Sequence, residues 1–134
     1  MKSIIHQVAA AAFSAAMLSA ASAADSPSDR MKDRAQDRYK AAMERCESLK
    51  GNAQDVCEKE AKAARDKSRA DANVAAKGTR ESRADAGETK ARADYRAAME
   101  RCESLRGNEQ DACESKAKAM RDRRQNDADK QRRN

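Results

Sequence analysis

Histidine is nearly missing from this chain: His6 is the single one among 134 residues, and it falls in an N-terminal segment that reads as removable. Without it, Cys-His and Ser-His-Asp constellations are excluded from the remaining chain, and so is a zinc site built on imidazole. Aromatic side chains are equally scarce, with no tryptophan, one phenylalanine (Phe13) and two tyrosines, Tyr39 and Tyr95. A nucleic-acid strand would find no row of stacking platforms, so nucleic acid is not an expected partner. No Gly-rich phosphate loop occurs among the four glycines. The apolar stretch from Val8 to Leu18 falls short of the about 20 residues that a membrane-spanning helix needs.

What the N-terminus does contain is a secretory pattern. Lys2 supplies a positive start, Val8 to Leu18 an apolar centre, and Ala21-Ser22-Ala23 a small-residue cleavage site, followed by Ser26-Pro27-Ser28. This predicts a signal peptide over 1–23, cut after Ala23 with Ala24 as the neighbouring option. No cysteine stands near the cut, so no lipid anchor is expected there. Cleavage removes His6 and Phe13 and leaves apolar content that is mostly alanine, which buries little area per residue. Composition alone would read as disorder.

An internal repeat overrides that reading. The run YKAAMERCESLKGNAQDVCEKEAKAARDKSRADA at 39–72 returns without a gap at 95–128 as YRAAMERCESLRGNEQDACESKAKAMRDRRQNDA. About two-thirds of the positions are identical, the signature of a duplicated supersecondary unit. Ala35, Tyr39, Ala42, Cys46 and Leu49 alternate in steps of four and three, as do Ala91, Tyr95, Ala98, Cys102 and Leu105. Such spacing draws one helical stripe. Tyr39 and Leu49, with Tyr95 and Leu105, are the expected core.

Gly51 and Gly107 are placed to close the first helix of each copy in a left-handed conformation. Asn52 and Asn108 are expected to cap the next helix, with Asp55 and Asp111 in its first turn. An αα-hairpin follows in each copy. Folding about the Gly-Asn turn sets Cys46 against Cys57, Ala42 against Ala61 and Tyr39 against Ala64. In the second copy Cys102 meets Cys113, Ala98 meets Ala117, and Tyr95 meets Met120. The predicted fold is therefore all-α: two tandem disulfide-stapled hairpins with a thin, alanine-rich core. Hairpin one spans 28–72, a linker or frayed helix 73–90, hairpin two 91–128, and a frayed basic tail 129–134.

Four cysteines allow three connectivities, and the repeat favours Cys46–Cys57 with Cys102–Cys113. Bridges suit a small exported domain. A sharper alternative treats Met43, Cys46 and Cys57, and in the second copy Met99, Cys102 and Cys113, as ligands of a soft ion such as Cu(I). A catalytic redox pair fits poorly, because ten residues separate the cysteines and Glu47, Glu58, Glu103 and Glu114 beside them disfavour the thiolate.

Charge is abundant, at 39% of residues, and much of it stands four apart with opposite sign: Asp55 with Lys59, Glu58 with Lys62, Glu88 with Arg92, Glu114 with Lys118. These pairs predict solvated helix faces. The basic excess gathers in Arg121, Arg123, Arg124, Arg132 and Arg133. An exported basic helix attracts polyanions such as lipid head groups or acidic polysaccharide through its field.

The repeated pattern Y-x-A-A-M-E-R-C-E-S-L-x-G-N-x-Q-D-x-C-E-x-x-A-K-A resembles that of small exported proteobacterial proteins, mostly uncharacterised, whose hairpins carry Y…C-x-x-L-x-G-(N/D)-A-(K/x)-D-x-C…A-K-A. Some bear a cell-envelope label. The resemblance covers Tyr39 to Ala64 and Tyr95 to Met120, with Glu109 where the pattern has the alanine of Ala53. It implies a Gram-negative periplasm and brings no established activity. The expectation is a non-enzymatic periplasmic interaction or envelope-stress protein, without cofactor, that binds envelope polymer, lipid head groups or a client protein. Cu(I) binding and holdase-type chaperone action are the alternatives.

Overall fold

A computed structural model describes residues 26–134, so the expected signal segment lies outside the described residues. The described chain forms four helices: α1 (Pro27–Cys46), α2 (Asn52–Lys77), α3 (Arg80–Cys102) and α4 (Asn108–Arg133). Helix α1 starts where local chemistry dictates. Ser26 Oγ accepts from the Asp29 N–H at 3.2 Å, Pro27 fills the first turn, and Arg45 occupies the last.

Each stripe helix stops at its first cysteine. The chain then turns through 47–51, with the Glu47 N–H donating to the Met43 carbonyl and Ser48 Oγ to that of Arg45 at 2.8 Å. Gly51 sits at φ 60°, ψ −145° and Gly107 at φ 58°, ψ −138°. A methyl on either would meet no neighbour within 4 Å, so it is the positive φ that requires glycine at these two positions. Two expectations change here. Both glycines stand outside the left-handed helical region and themselves occupy the N-cap positions, and Asn52 and Asn108 are the first helical residues, making no cap bond. Because the helices end at Cys46 and Cys102, Leu49 and Leu105 fall in the turns rather than on the stripe. Leu49 is 40% exposed and Leu105 half-buried, so neither belongs to the core.

The segment 73–90 is not a joint. Helix α2 runs through it to Lys77 and closes on Gly78 at φ 62°. Thr79 then caps α3, its Oγ1 accepting from the Ser82 N–H at 3.0 Å. The turn makes a third hairpin between the two copies, whose core is the cluster Ala63, Ala93 and Ala97. The tail is ordered as well. Ala128 is buried against Gly87, where an added methyl would come within 3.1 Å of the Ala128 Cβ, and Arg132 reaches Asp85 and Glu88 of α3 at 2.8 Å each. Residues 129–133 are thus the last turns of α4.

Each helix packs only on its neighbours in the chain: no contact joins α1 to α3 or α4, or α2 to α4. The described residues therefore build a single layer of antiparallel helices rather than a closed bundle. Alanine explains how so thin a layer holds together, since methyl groups let neighbouring backbones approach closely and dispersion contacts accumulate along the seams. Among the described residues fourteen form the buried apolar set, and all are alanine or cysteine.

Candidate interaction surface

The four cysteines form the two bridges expected, Cys46–Cys57 and Cys102–Cys113, with Cα atoms 5.5 and 5.7 Å apart. None is free. The soft-metal alternative thereby loses its thiolates, and Met43 and Met99 remain as half-buried thioethers beside bridged sulfurs. Among the described residues no group of three His, Cys, Asp or Glu side chains is placed to hold a metal. Two disulfides fit an oxidising, exported location, and none of the described helices is long and apolar enough to cross a membrane.

Both tyrosines are half-buried rather than core residues. Arg65 of α2 stacks on Tyr39 with 4.5 Å to the ring centroid, and Arg121 of α4 stacks on Tyr95 at 4.6 Å. The same positions of the two copies thus make the same contact, in which the guanidinium faces the negative ring surface. Tyr95, Ala98, Ala117 and Met120 line one groove of the second hairpin, as their spacing requires.

Charges are distributed differently along the three seams. Between α2 and α3 run Lys59–Glu100 at 3.1 Å, Glu60–Arg101 at 2.6 Å, Asp66–Arg96 at 3.1 Å, Lys67–Asp94 at 2.7 Å and Asp71–Lys90. Between α3 and α4 run Asp94–Arg124 and the two pairs of Arg132. No ion pair joins α1 to α2 among the described residues. Partial burial pushes the Asp94 carboxyl up, but hydrogen bonds from Lys67 and Arg124 more than offset it and hold the group below the usual carboxylate range. Of the expected pairs within helices, Glu88–Arg92 at 3.6 Å and Glu114–Lys118 at 3.7 Å form. Lys59 instead crosses to Glu100, and Glu58 accepts from Gln54.

Of the basic excess expected in α4, Arg123 and Arg133 stay without a carboxylate partner among the described residues, and the other three are engaged. Arg121 is engaged by Tyr95 and Asp122, Arg124 by Asp94 and Arg132 by three carboxylates. The cations without a carboxylate partner among the described residues include Arg30, Arg34, Arg38 and Arg45 of α1, all exposed. Steps of four, four and seven put them on one side of the helix. Arg34 and Arg38 line a groove of the α1–α2 seam with Met31, Ala35, Ser68 and Asp71. The spacing was present in the sequence; what it could not show is which arginines a neighbouring helix neutralises. No protein-family model, curated protein or solved structure matches the chain.

Proposed function

We propose that the chain is an exported, non-enzymatic interaction protein of a Gram-negative periplasm that binds anionic envelope polymer through its charged helical surface. The observation that carries this reading is the open single layer. It offers long solvent-facing helix sides, its grooves run along the seams between helices, and it leaves arginines of α1 without carboxylate partners.

A holdase would need an apolar patch to engage unfolded clients, whereas the exposed large apolar residues are only Met31, Leu49 and Met120 among those described. Two bridged cysteine pairs fit the expected compartment, and the secretory pattern of 1–23 supplies the route to it.

Co-sedimentation of the native, oxidised protein with isolated cell-envelope polymers at low ionic strength, repeated at high salt, tests the reading. Binding that weakens steeply with salt is expected, as for interaction through field. Absence of binding at low salt would remove the proposal.

A further inference from the structure

The two bridges are lopsided in the same way. Cys46 and Cys102, the last residues of α1 and α3, are 0% exposed, whereas their partners Cys57 and Cys113 in α2 and α4 are half-buried. Cys46 belongs to an edge helix and Cys102 to an inner one, yet both are sealed. A nucleophile opens a disulfide by approaching one sulfur from the side opposite the other, so access decides which sulfur is attacked. Cys46 and Cys102 have no surface to approach.

We infer that Cys57 and Cys113 are the entry sulfurs of the folded protein, that thiol–disulfide exchange with a small thiol runs through them alone, and that the first hairpin exchanges before the second. The incoming thiolate forms a bond to the Cys57 sulfur and the bond from Cys57 to Cys46 breaks. The electron pair leaves with Cys46 as a thiolate, which takes a proton from water. The product is a mixed disulfide on Cys57. In reverse, Cys46 is the thiolate that expels the small thiol and closes the bridge. Cys113 and Cys102 take the same roles in the second copy.

The order of the hairpins follows from the leaving group. Cys46 and Cys102 leave as charged sulfur, buried at a helix C-terminus, and both circumstances disfavour a thiolate. Water reaches that charge only when the helix end opens locally. At α1 the end is held by the bridge and apolar contacts, since no ion pair joins α1 to α2 among the described residues. The corresponding end of α3 is fastened from α2: Asn52 Nδ2 donates to the Glu100 carbonyl at 3.3 Å, Lys59 pairs with Glu100 and Glu60 with Arg101. Cys102 therefore keeps its cover and leaves more slowly.

Sulfite is the probe for the test, because it stays on the sulfur it attacks as an S-sulfonate and releases the other cysteine as a thiolate. Full-length mature protein, natively oxidised, is exposed briefly to sulfite, the released thiol is blocked with excess iodoacetamide, and both marks are located by peptide mass. In the folded protein the sulfonate should favour Cys57 and Cys113 over Cys46 and Cys102 by about tenfold or more, and the first bridge should react about tenfold faster than the second. In denaturant, where burial is gone, the two sulfurs of each bridge should be marked within about threefold of each other, and the two bridges should react at similar rates. Lys59→Gln with Glu60→Gln unfastens the end of α3 and should narrow the difference between the bridges in the folded protein. Equal marking of both sulfurs in the folded protein, or the same preference in denaturant, would overturn the entry sulfurs. So would folded bridges that resist sulfite altogether while the denatured ones react. Equal rates for the two bridges in the folded protein, or a rate difference untouched by the double substitution, would overturn the order.

Discussion

Helices α1 and α3 carry nearly the same residues from Tyr39 to Cys46 and from Tyr95 to Cys102, yet among the described residues one is the edge of the layer and the other lies inside it. Their shared side, toward their own hairpin partner, repeats the same alanines, cysteine and stacked tyrosine. They differ on the opposite side, where α3 has Ala86 and Ala93, both buried, and α1 has Arg30 and Asp37, both exposed. Helix α4 shows the same change relative to α2, with Asn126 exposed where Ala70 is buried. A few substitutions thus turn a stackable helix into a terminal one, as capping repeats do in linear arrays. Context also acts on unchanged residues: Glu44 is exposed, whereas Glu100 is 8% exposed and pairs with Lys59.

The comparison breaks most sharply at the bridges. Removing Cys46–Cys57 by paired Ser substitutions should cost about 3 kcal/mol in the chain-entropy view, at a seam with no ion pair to hold α1 afterwards. Native-state hydrogen exchange is expected to release the α1 amides around Ala35 to near-unfolded rates. The corresponding change in copy two should leave α4 partly protected by Arg124 and Arg132. Equal release in both copies would show that the ion pairs do not distinguish edge from edge.

A smaller effect separates inside from outside. Ala93→Leu overpacks the α2–α3 seam, where Ala93 is fully buried, and should cost about 1–3 kcal/mol. Asp37→Leu, at the matching position of α1, should stay within about 0.5 kcal/mol. Thermal unfolding of the two variants measures the difference, and a cost at Asp37 as large as that at Ala93 would mean that α1 has a partner on its outer side.

The smallest effect is acid sensitivity. Asp94 is held below the ordinary carboxylate range by Lys67 and Arg124, so its stabilisation is complete above the unfolded pKa of about 4 and fades as pH falls through the lower folded value. Between neutral pH and about pH 3 the parent should therefore lose more stability than Asp94→Asn. Chemical denaturation at the two pH values reads this directly. In α1 the same place is Arg38, which has no carboxyl group.

Much of this arrangement was legible in the sequence, because Tyr39, Ala42 and Cys46 with Cys57 and Ala61 carry both period and pairing, twice over. The middle seam was not. Alanine is equally at home on a buried stripe and on a solvated helix, so Ala84, Ala86 and Ala93 gave no sign of which side was covered. Gly87, inside the expected linker, leaves room for Ala128. The tail offered one alanine and no stripe, and only the position of Asp85 and Glu88 on a neighbouring helix explains why Arg132 is held. The arginine row had a readable period, but its freedom from carboxylates depends on which helix lies beside it.

The bridges span only the hairpin tips, and that decides what a single cut by a protease would do. A nick in the turn 47–51 or in 103–107 leaves the two pieces tied through sulfur. A nick at Gly78–Thr79, in the one interhelical turn that no bridge spans, separates the chain into two closed halves held by alanine contacts and ion pairs alone. Of the three turns among the described residues, two can thus be cut without losing a part, and at the third the chain divides along the boundary of its own duplication.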